Sequence, residues 1–505
     1  MNFLAGKNVL ILGLGASGLA LACWCNRFGA QVTVADTRAA PPQREALRSK
    51  VPAALFVCAP LDEALLASAS FDLVLKSPGL SPAAMAGVIG AAQCCGVAIG
   101  NELSLFAHAL SDLKAVRAYV PQVIGITGTN GKTTVTSLTG LLVQRAGKSV
   151  AVAGNIGPTL LDTLAERLDA EELGTALPEV WVLELSSFQL DHVGNFEPTV
   201  ATVLNITQDH LDWHETLEAY SAAKMNIYGQ SGVMLLNRDD ALVMQAVPAL
   251  VKGKPVRSFV TFGNDEPKRP GDYGIETVNG MAWLARAAAA DETFKLRKGE
   301  EQVAYIQRLM PVEALRIRGR HNACNALAAL AMAAAAGCSI GSMLHGLRDY
   351  RGEPHRVASV AVLDDVEYFD DSKGTNVGAT VAALAGLGAD RKVVVILGGE
   401  GKGQDFLPLA DLVVRYARAV VLIGRDAALI RAALRQADLP VLDADSMAHA
   451  VELAAGQAQT GDAVLMSPAC ASFDMFRDYE HRAEVFCDAV RQRSERSASH
   501  QEDAA

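Results

Sequence analysis

Short unbroken apolar runs alternate along the chain with stretches of helical spacing, and glycines stand at most of the joins. Residues 9–12 read as a buried strand, 15–28 as a helix closed by Gly29, and 31–35 as a second strand ending at Asp36. This is a βαβ opening. Strands predicted at 73–76 and 97–99 bring a first unit to a close near Gly100. A second unit begins with a strand at 123–126, a Gly-rich turn and a helix from Lys132 to about Arg145, stopped by Gly147, and has further strands at 180–184 and 200–205. Residues 255–310 hold strand-like pieces with little periodicity, and an Ala-rich helix after His321 restores order. From Glu353 a third unit has strands at 393–397, 419–423 and 463–466, each followed by a loop and a helical pattern. Repeated β-then-α units predict parallel sheets.

Five hundred and five residues exceed what one core serves, and at about 150 residues per domain the chain should fold as about three. Apolar residues make up 50% and charged residues 20%, with 43 Gly against 19 Pro, the balance of an α/β enzyme and not of a disordered or fibrous chain. Forty-five Lys and Arg against 56 Asp and Glu give −11, a field that repels nucleic acid, so any anionic ligand must be held by local groups. Nine cysteines without zinc-type spacing point to reduced thiols and a cytoplasmic protein, with Cys23/Cys25 and Cys94/Cys95 expected to pack. The apolar run 9–25 is broken by Gly13, Gly15, Ser17 and Gly18 and lacks a basic start, so it is read as fold and not as leader. No membrane span is predicted.

Gly13-x-Gly15-x-x-Gly18 lies between a strand and a helix, with Asp36 ending the next strand. Such a turn fits a diphosphate at the helix N-terminus, and taken alone it leaves open a nicotinamide dinucleotide, another nucleotide or a structural turn. Gly128-Thr129-Asn130-Gly131-Lys132-Thr133-Thr134 is more specific: backbone N–H groups can cradle phosphates, Lys132 can reach the β and γ oxygens and the Thr133 hydroxyl can ligate Mg²⁺. Ile126 stands where the strict phosphate-loop pattern has its first Gly. With a nucleoside triphosphate in the second unit, the first Gly-rich turn is better read as holding the substrate's own diphosphate. Glu184 and Asp209-His210 fall at the carboxyl edge of the second sheet, where a second Mg²⁺ could sit. His210 and His214 also have the spacing of a zinc half-site, with no third ligand evident.

Residues 128–134, Glu184-Leu185-Ser186-Ser187-Phe188-Gln189, Asn205-Ile206-Thr207-Gln208-Asp209-His210, Ala223-Lys224 and His321-Asn322-x-x-Asn325 resemble the central domain of the Mur ligases. Pro354-His355-Arg356, the run from Asp370 to Asn376, Gly398 to Lys402 and Ser467 to Asp474 resemble the D-glutamate-adding branch of that family. The likeness runs from about Asn8 to Arg482, and 111–121, 169–179 and 285–309, longer than the family's minimum, are assigned no chemistry. It implies an α/β fold of three domains: a Rossmann-like N-terminal domain over 1–100 that binds the UDP-linked substrate, a central P-loop ATPase-like domain with a mostly parallel sheet over 101–352, and a Rossmann-like C-terminal domain over 353–505 that binds the amino acid. The polar, aperiodic 492–505 is expected to be a disordered tail.

The resemblance further implies transfer of the ATP γ-phosphoryl to the carboxylate of UDP-N-acetylmuramoyl-L-alanine, then attack by the D-glutamate amine, with two Mg²⁺ sites and a monomeric enzyme. Lys132, Glu184, His210 and a carbamylated Lys224 would be catalytic, with Thr133 and Glu184 serving one Mg²⁺ and His210 and Lys224 the other. ATP contacts would come from 128–134, Asn322, Asn325, His355, Arg356 and Asp371. Ala16, Ser17, Asp36, Thr37, Arg38, Ser77, Gly79, Asn155 and Gln189 would hold the UDP-linked substrate, and Lys373, Thr375, Ser472 and Phe473 the D-glutamate, with Tyr479 nearby. Cys470 is not needed as a nucleophile. An NAD-dependent oxidoreductase using Gly13 to Asp36 is the reading from another class.

Overall fold

In the computed structural model of the chain, the described residues are 2–67, 69–191, 193–251, 254–289, 304–389 and 391–502. The first five strands are β1 (Asn8–Leu12), β2 (Gln31–Asp36), β3 (Leu55–Cys58), β4 (Leu73–Lys76) and β5 (Ala98–Asn101), and they pair in parallel in the order β3-β2-β1-β4-β5. The βαβ opening is as expected. The edge strand β3, half-exposed, lies within the apolar run 53–59 and adds to the predicted strands. Strand order reverses between β1 and β4, so the loops after these two strands open on one crevice, the usual ligand position in an open α/β sheet.

The second sheet is also wholly parallel. It consists of β6 (Gln122–Thr127), β7 (Val150–Gly154), β8 (Val180–Glu184), β9 (Val200–Val203), β10 (Val233–Asn237) and β13 (Phe259–Phe262), in the order β13-β10-β9-β6-β8-β7. A small ribbon, β11 (Leu250–Val251) with β12 (Lys254–Pro255), stands apart. β9 ends earlier than its apolar run because Asn205 turns aside to accept from the Thr129 N–H at 2.9 Å. The weakly periodic 255–310 contains an antiparallel sheet of β14 (Tyr273–Val278), β15 (Met281–Ala289) and β16 (Ala304–Pro311). A bulge at Leu284/Ala285 shifts the register and so breaks the alternation that would have revealed it. Tyr273, Ile275, Leu284 and Met310 from this sheet pack with the Ala-rich helix Arg320–Ala335, whose small side chains allow close approach. Within the longer stretch 285–309, residues 290–303 lie outside the described residues.

The third sheet has β17 (Ala358–Leu363), β18 (Val366–Asp370), β19 (Val393–Gly398), β20 (Ala417–Ile423), β21 (Val441–Asp443) and β22 (Ala463–Met466), ordered β17-β18-β22-β19-β20-β21. The purely parallel expectation is corrected at one edge, where β17 and β18 form an antiparallel hairpin. Asp364 and Asp365, at φ 52° and 58°, supply the two left-handed residues that a tight hairpin turn needs. The disordered tail expected from 492 is also corrected: the helix Tyr479–Glu502 continues through it, and residues 503–505 lie outside the described residues. Phe486, Ala489 and Val490 bury the first part of that helix, and Arg493 and Arg496, one turn apart, both bond Glu452. All nine cysteines are free, with Cys25 buried, and Cys94 and Cys95 exposed where packing was expected. Among the described residues no helix is long and apolar enough to cross a membrane.

Candidate active site

The loop after β6 is shaped by its neighbours before any ligand arrives. Gly131 has φ +83°, and a Cβ there would stand 2.8 Å from Asn325 Oδ1, so both conformation and space call for glycine. Asn205 clamps Asn130 on both sides, accepting from its N–H at 2.8 Å and donating from Nδ2 to its carbonyl at 3.1 Å. The Thr129 hydroxyl meets the Thr207 N–H at 3.0 Å and the Tyr220 hydroxyl at 3.1 Å. Helix Lys132–Arg145 starts directly from this loop, so its free N–H groups and positive dipole end face the same space. Lys132 folds back, donating from Nζ to the Gly128 and Thr129 carbonyls at 2.9 Å each. Burial lowers its pKa, against the raising effect of Glu184 and Asp209.

Beside the loop lies a set of groups with unsatisfied capacity. Glu184, at the end of β8, is 1% exposed; its Oε1 accepts from Asn155 Nδ2 at 2.9 Å, and its Oε2 has no hydrogen-bond partner. A buried carboxylate oxygen left bare is costly unless something outside the protein completes it. Lys224, also 1% exposed, donates to the Gly128 carbonyl at 2.8 Å and lies 4.5 Å from the centre of the Tyr220 ring. Burial first, and Lys132 second, push its amine well below the usual lysine range, towards the neutral form. His210 takes a left-handed backbone, φ 54°, with its ring edge-on to Phe188 at 4.7 Å. Burial lowers its pKa and favours the uncharged imidazole. The fourth-residue partner His214 instead bonds Ser187 Oγ at 2.9 Å, and the described residues contain no cluster of three metal-binding side chains, so the zinc half-site finds no completion.

The third unit closes this space from above. Arg356 Nη2 reaches the Thr133 hydroxyl at 3.5 Å, while its Nε is buried without a partner. Asn376 exchanges amide bonds with Asn130 at 3.1 and 3.2 Å and donates to Asp209 Oδ2 at 3.3 Å. Together these elements bound a cavity of about 260 Å³, lined by Asn130, Gly131 and Thr134 on one side, Asn322 and Asn325 below, and Arg356 and Asp371 opposite. Asp371 is pushed up to about 7 by burial, with Ser467 Oγ donating to Oδ2 at 2.6 Å. His355, expected with this group, pairs through Nδ1 with Asp370 at 2.6 Å. Lys373 lies with its Nζ 5.3 Å from the centre of the Tyr479 ring, its pKa lowered by burial and then by Arg356. Thr375 is half-buried, Ser472 is buried, and the Phe473 side chain is 66% exposed.

The first unit supplies a separate crevice. Ala16 and Ser17 open the helix Ala16–Arg27, and a Cβ on Gly18 would meet the Gly13 carbonyl oxygen at 2.1 Å, which ties the turn to glycine. Ser77 and Gly79 follow β4 on the facing side, where the Ser77 N–H donates to the Leu12 carbonyl at 2.9 Å. Asp36 is engaged by the protein itself: Oδ2 accepts from Leu14 N–H at 2.8 Å, Arg38 pairs with it at 2.8 Å, and these contacts hold it down to about 2. It therefore shapes the turn, with Thr37 and Arg38 exposed beside it. Gln189 likewise turns its amide oxygen onto the Ser186 N–H, closing a helix cap at 3.0 Å. Two residues of the site had no sequence-derived role: Asn376, and Lys402, whose charge acts on His210 and whose φ is 52°. Both stand inside motifs, so only the placement of a side chain was missing.

Family models match along most of the chain: the Mur ligase MurD-like N-terminal domain over 7–100, the Mur ligase middle domain over 126–333, and the Mur ligase glutamate ligase domain over 355–470. The chain belongs to the Mur ligase family, and is an ATP-dependent amide-bond-forming ligase. Within the family it falls among relatives named UDP-N-acetylmuramoylalanine–D-glutamate ligase. That of Albidiferax ferrireducens is 65% identical, covering 97% of each chain, and that of Ralstonia nicotianae is 55% identical, covering 96% of this chain and 97% of the relative. Among solved structures, MurF of Thermotoga maritima in complex with ADP matches with TM-score 0.56 at 16% identity, over 97% of this chain and 96% of that one. UDP-N-acetylmuramate-alanine ligase MurC of Thermotoga maritima matches at 0.53 and 19%, over 96% and 99%. These last two share the three-unit α/β architecture.

Proposed function

We propose that the chain joins D-glutamate to UDP-N-acetylmuramoyl-L-alanine through an acyl phosphate, in the cytoplasm and as a monomer, releasing ADP and phosphate. The observation that carries this reading is the meeting of the phosphate loop with the third unit at one cavity, lined by Asn130 from the loop and by Arg356 and Asp371 opposite, with Asn376 bonded to Asn130. A carboxylate acylates an amine only after it gains a good leaving group, so nucleotide and amino-acid groups must converge on one point. In this reading ATP lies along 128–134, with Asn322 and Asn325 at its base and His355, Arg356 and Asp371 across the junction. Lys132, swinging from the Gly128 and Thr129 carbonyls, meets phosphoryl charge as it develops. The UDP-linked substrate takes Ala16, Ser17, Thr37, Arg38, Ser77 and Gly79, with Asp36 as the support of that turn. Asn155 and Gln189 lie toward its peptide end. Lys373, Thr375, Ser472 and the backbone at Phe473 receive the two D-glutamate carboxylates, which need charge-assisted donors.

The residues fit Mg²⁺. Glu184, whose Oε2 is bare, would hold one Mg²⁺ with the Thr133 hydroxyl. His210 and Lys224 would hold the second, with Lys224 carbamylated: CO₂ adds only to a neutral amine, the state its burial favours. When bound, Mg²⁺ draws negative charge off the transferring phosphoryl oxygens.

The direct test is ATP-dependent phosphate release with UDP-N-acetylmuramoyl-L-alanine against a panel of amino acids. D-glutamate should stand alone; D-glutamine should be poor because it leaves buried donors unpaired, and L-lysine poorer. Equal turnover with a diamino acid would end the assignment. For the carbamate, Lys224→Ala should lose nearly all activity and regain part of it in millimolar short carboxylates, and full activity in that variant would sink the idea.

A further inference from the structure

Where the first and second units meet, one carboxyl group has a position that the reaction chemistry above does not use. Glu102 begins the helix Glu102–Arg117 directly after β5 and is 1% exposed. Its Oε1 accepts from the Leu161 N–H at 3.0 Å, in the first turn of the helix Leu160–Glu172. Its Oε2 is buried without a hydrogen-bond partner, and the Ser17 and Thr159 hydroxyls lie beside the carboxyl. The group therefore touches the first turns of two helices, one from each unit, and one of these carries the Gly-rich turn read above as the diphosphate site. The neighbouring Asn101 makes a parallel link, from Nδ2 to the Gln189 carbonyl at 2.9 Å.

We propose that Glu102 is a positioning residue for the UDP-linked substrate: it joins the first turn of Ala16–Arg27 to that of Leu160–Glu172, and it takes up a proton when a diphosphate occupies the turn at Ser17. An ionised carboxylate at Ser17 opposes an anion held on the same helix N-terminus, whereas the neutral acid removes that charge and gives the bare Oε2 a hydrogen to donate. The proton comes from solvent, so binding and protonation are linked. The nearby charge acts in the same direction. Asp162 faces Glu102 from the helix Leu160–Glu172, whose N-cap Thr159, like Ser17 of Ala16–Arg27, brings a hydroxyl to the carboxyl. Burial, with Asp162, already pushes the carboxyl up to about 7. Ionised above that pH in the free protein, it has a proton to regain on binding.

This inference rests on the reading of Ser17 as part of the UDP pocket, and the test separates the two. Calorimetric titration with UDP-N-acetylmuramoyl-L-alanine at pH 8, in buffers of different ionisation enthalpy, should show uptake approaching one proton per substrate in the wild type and none in Glu102→Gln. The KM for that substrate should rise above pH 7, towards a limit of about tenfold per unit, in the wild type and not in Glu102→Gln. No proton uptake in the wild type, or the same uptake in Glu102→Gln, overturns the proposal; the wild-type measurement decides even if the variant does not fold. Ser17→Ala should weaken substrate binding at every pH. Unchanged affinity in that variant would instead overturn the pocket assignment.

Discussion

Between the first and second units the contact is a continuous apolar core sealed by a buried ion pair; between the second and third it is amide pairs and an arginine around a cavity. One cluster runs from Val9 and Leu21 through Leu103 and Phe106 to Trp181 and Tyr220, while the third unit keeps clusters of its own. Lys76 and Asp191 meet at 2.6 Å across the first junction. Across the second, Asn130 faces Asn376 and Arg356 faces Thr133. Apolar surface and a desolvated ion pair are expensive to expose, whereas amide bonds exchange readily with water. The difference predicts where motion belongs: the first two units should move as one platform, and the third should open and close over the proposed nucleotide site.

The largest effect tests whether the two junctions serve different ligands. Lys132→Ala should cut ligation by several kcal/mol of transition-state stabilisation, about a thousandfold or more, because the lysine acts on charge that exists fully only during transfer. The affinity for the UDP-linked substrate, whose turn lies across the other junction, should remain nearly unchanged in calorimetry. A parallel loss of that affinity would erase the distinction.

Next in size is the seal of the platform. Lys76→Ala removes the ammonium that meets Asp191 in this largely buried pair, which should cost about 2–5 kcal/mol, the scale for truncating one partner of a buried charge pair. The denaturant midpoint should fall accordingly. If it moves less than a replacement at the surface pair Arg145–Asp349, the first junction is not the stiff one.

Much of this arrangement was legible beforehand, for physical reasons. The phosphate loop declares itself because its glycines, lysine and threonines must follow a strand and precede a helix, and spacing records that order directly. The buried strands β19 and β22, and β20 beyond Arg418, read as unbroken apolar runs because both their faces are covered. What stayed hidden depended on contacts between distant segments. The β17–β18 hairpin rests on two aspartates at positive φ, and β15 on a bulge, neither of which leaves a periodic trace. Asp36 and Gln189, read as ligand contacts from their motifs, also meet Leu14, Arg38 and Ser186 within the protein, contacts that the motifs do not announce. The burial of Glu102 follows from two helix starts meeting, which no local pattern encodes.

A pH titration sharpens the comparison from the mobile side. Asp371, facing the cavity, has a native pKa raised from 3.8 to about 7. Between these values the unfolded chain releases a proton that the native state keeps, so this group's contribution to stability falls as pH rises from about 4 to 7 and is level above. Asp371→Asn should remove that slope and stabilise the protein at pH 8 relative to pH 4, by roughly 1–3 kcal/mol, read from melting at the two pH values. An unchanged slope in the variant would place the titration elsewhere.

The smallest expected effect is at the amide pair, and it is the most direct measure of how the third unit is held. Asn376 donates to Asn130 and Asp209 and accepts from the Ala379 N–H, where it caps the helix Val377–Leu387. Asn376→Asp keeps an acceptor for the cap but removes both donors and sets a carboxylate against Asp209, whereas Asn376→Ser keeps the cap with a shorter reach. If the pair merely latches an exchangeable junction, Asn376→Ser should cost only about 0.5–1.5 kcal/mol of stability, the net worth of hydrogen bonds that water can replace. The KM for ATP should rise several-fold while the affinity for the UDP-linked substrate stays as it was. Asn376→Asp should raise the KM further, because repulsion from Asp209 favours the open arrangement. Should both variants leave the KM for ATP untouched while lowering stability by more than Lys76→Ala does, the second junction would be the rigid one, and the assignment of platform and lid would have to be exchanged.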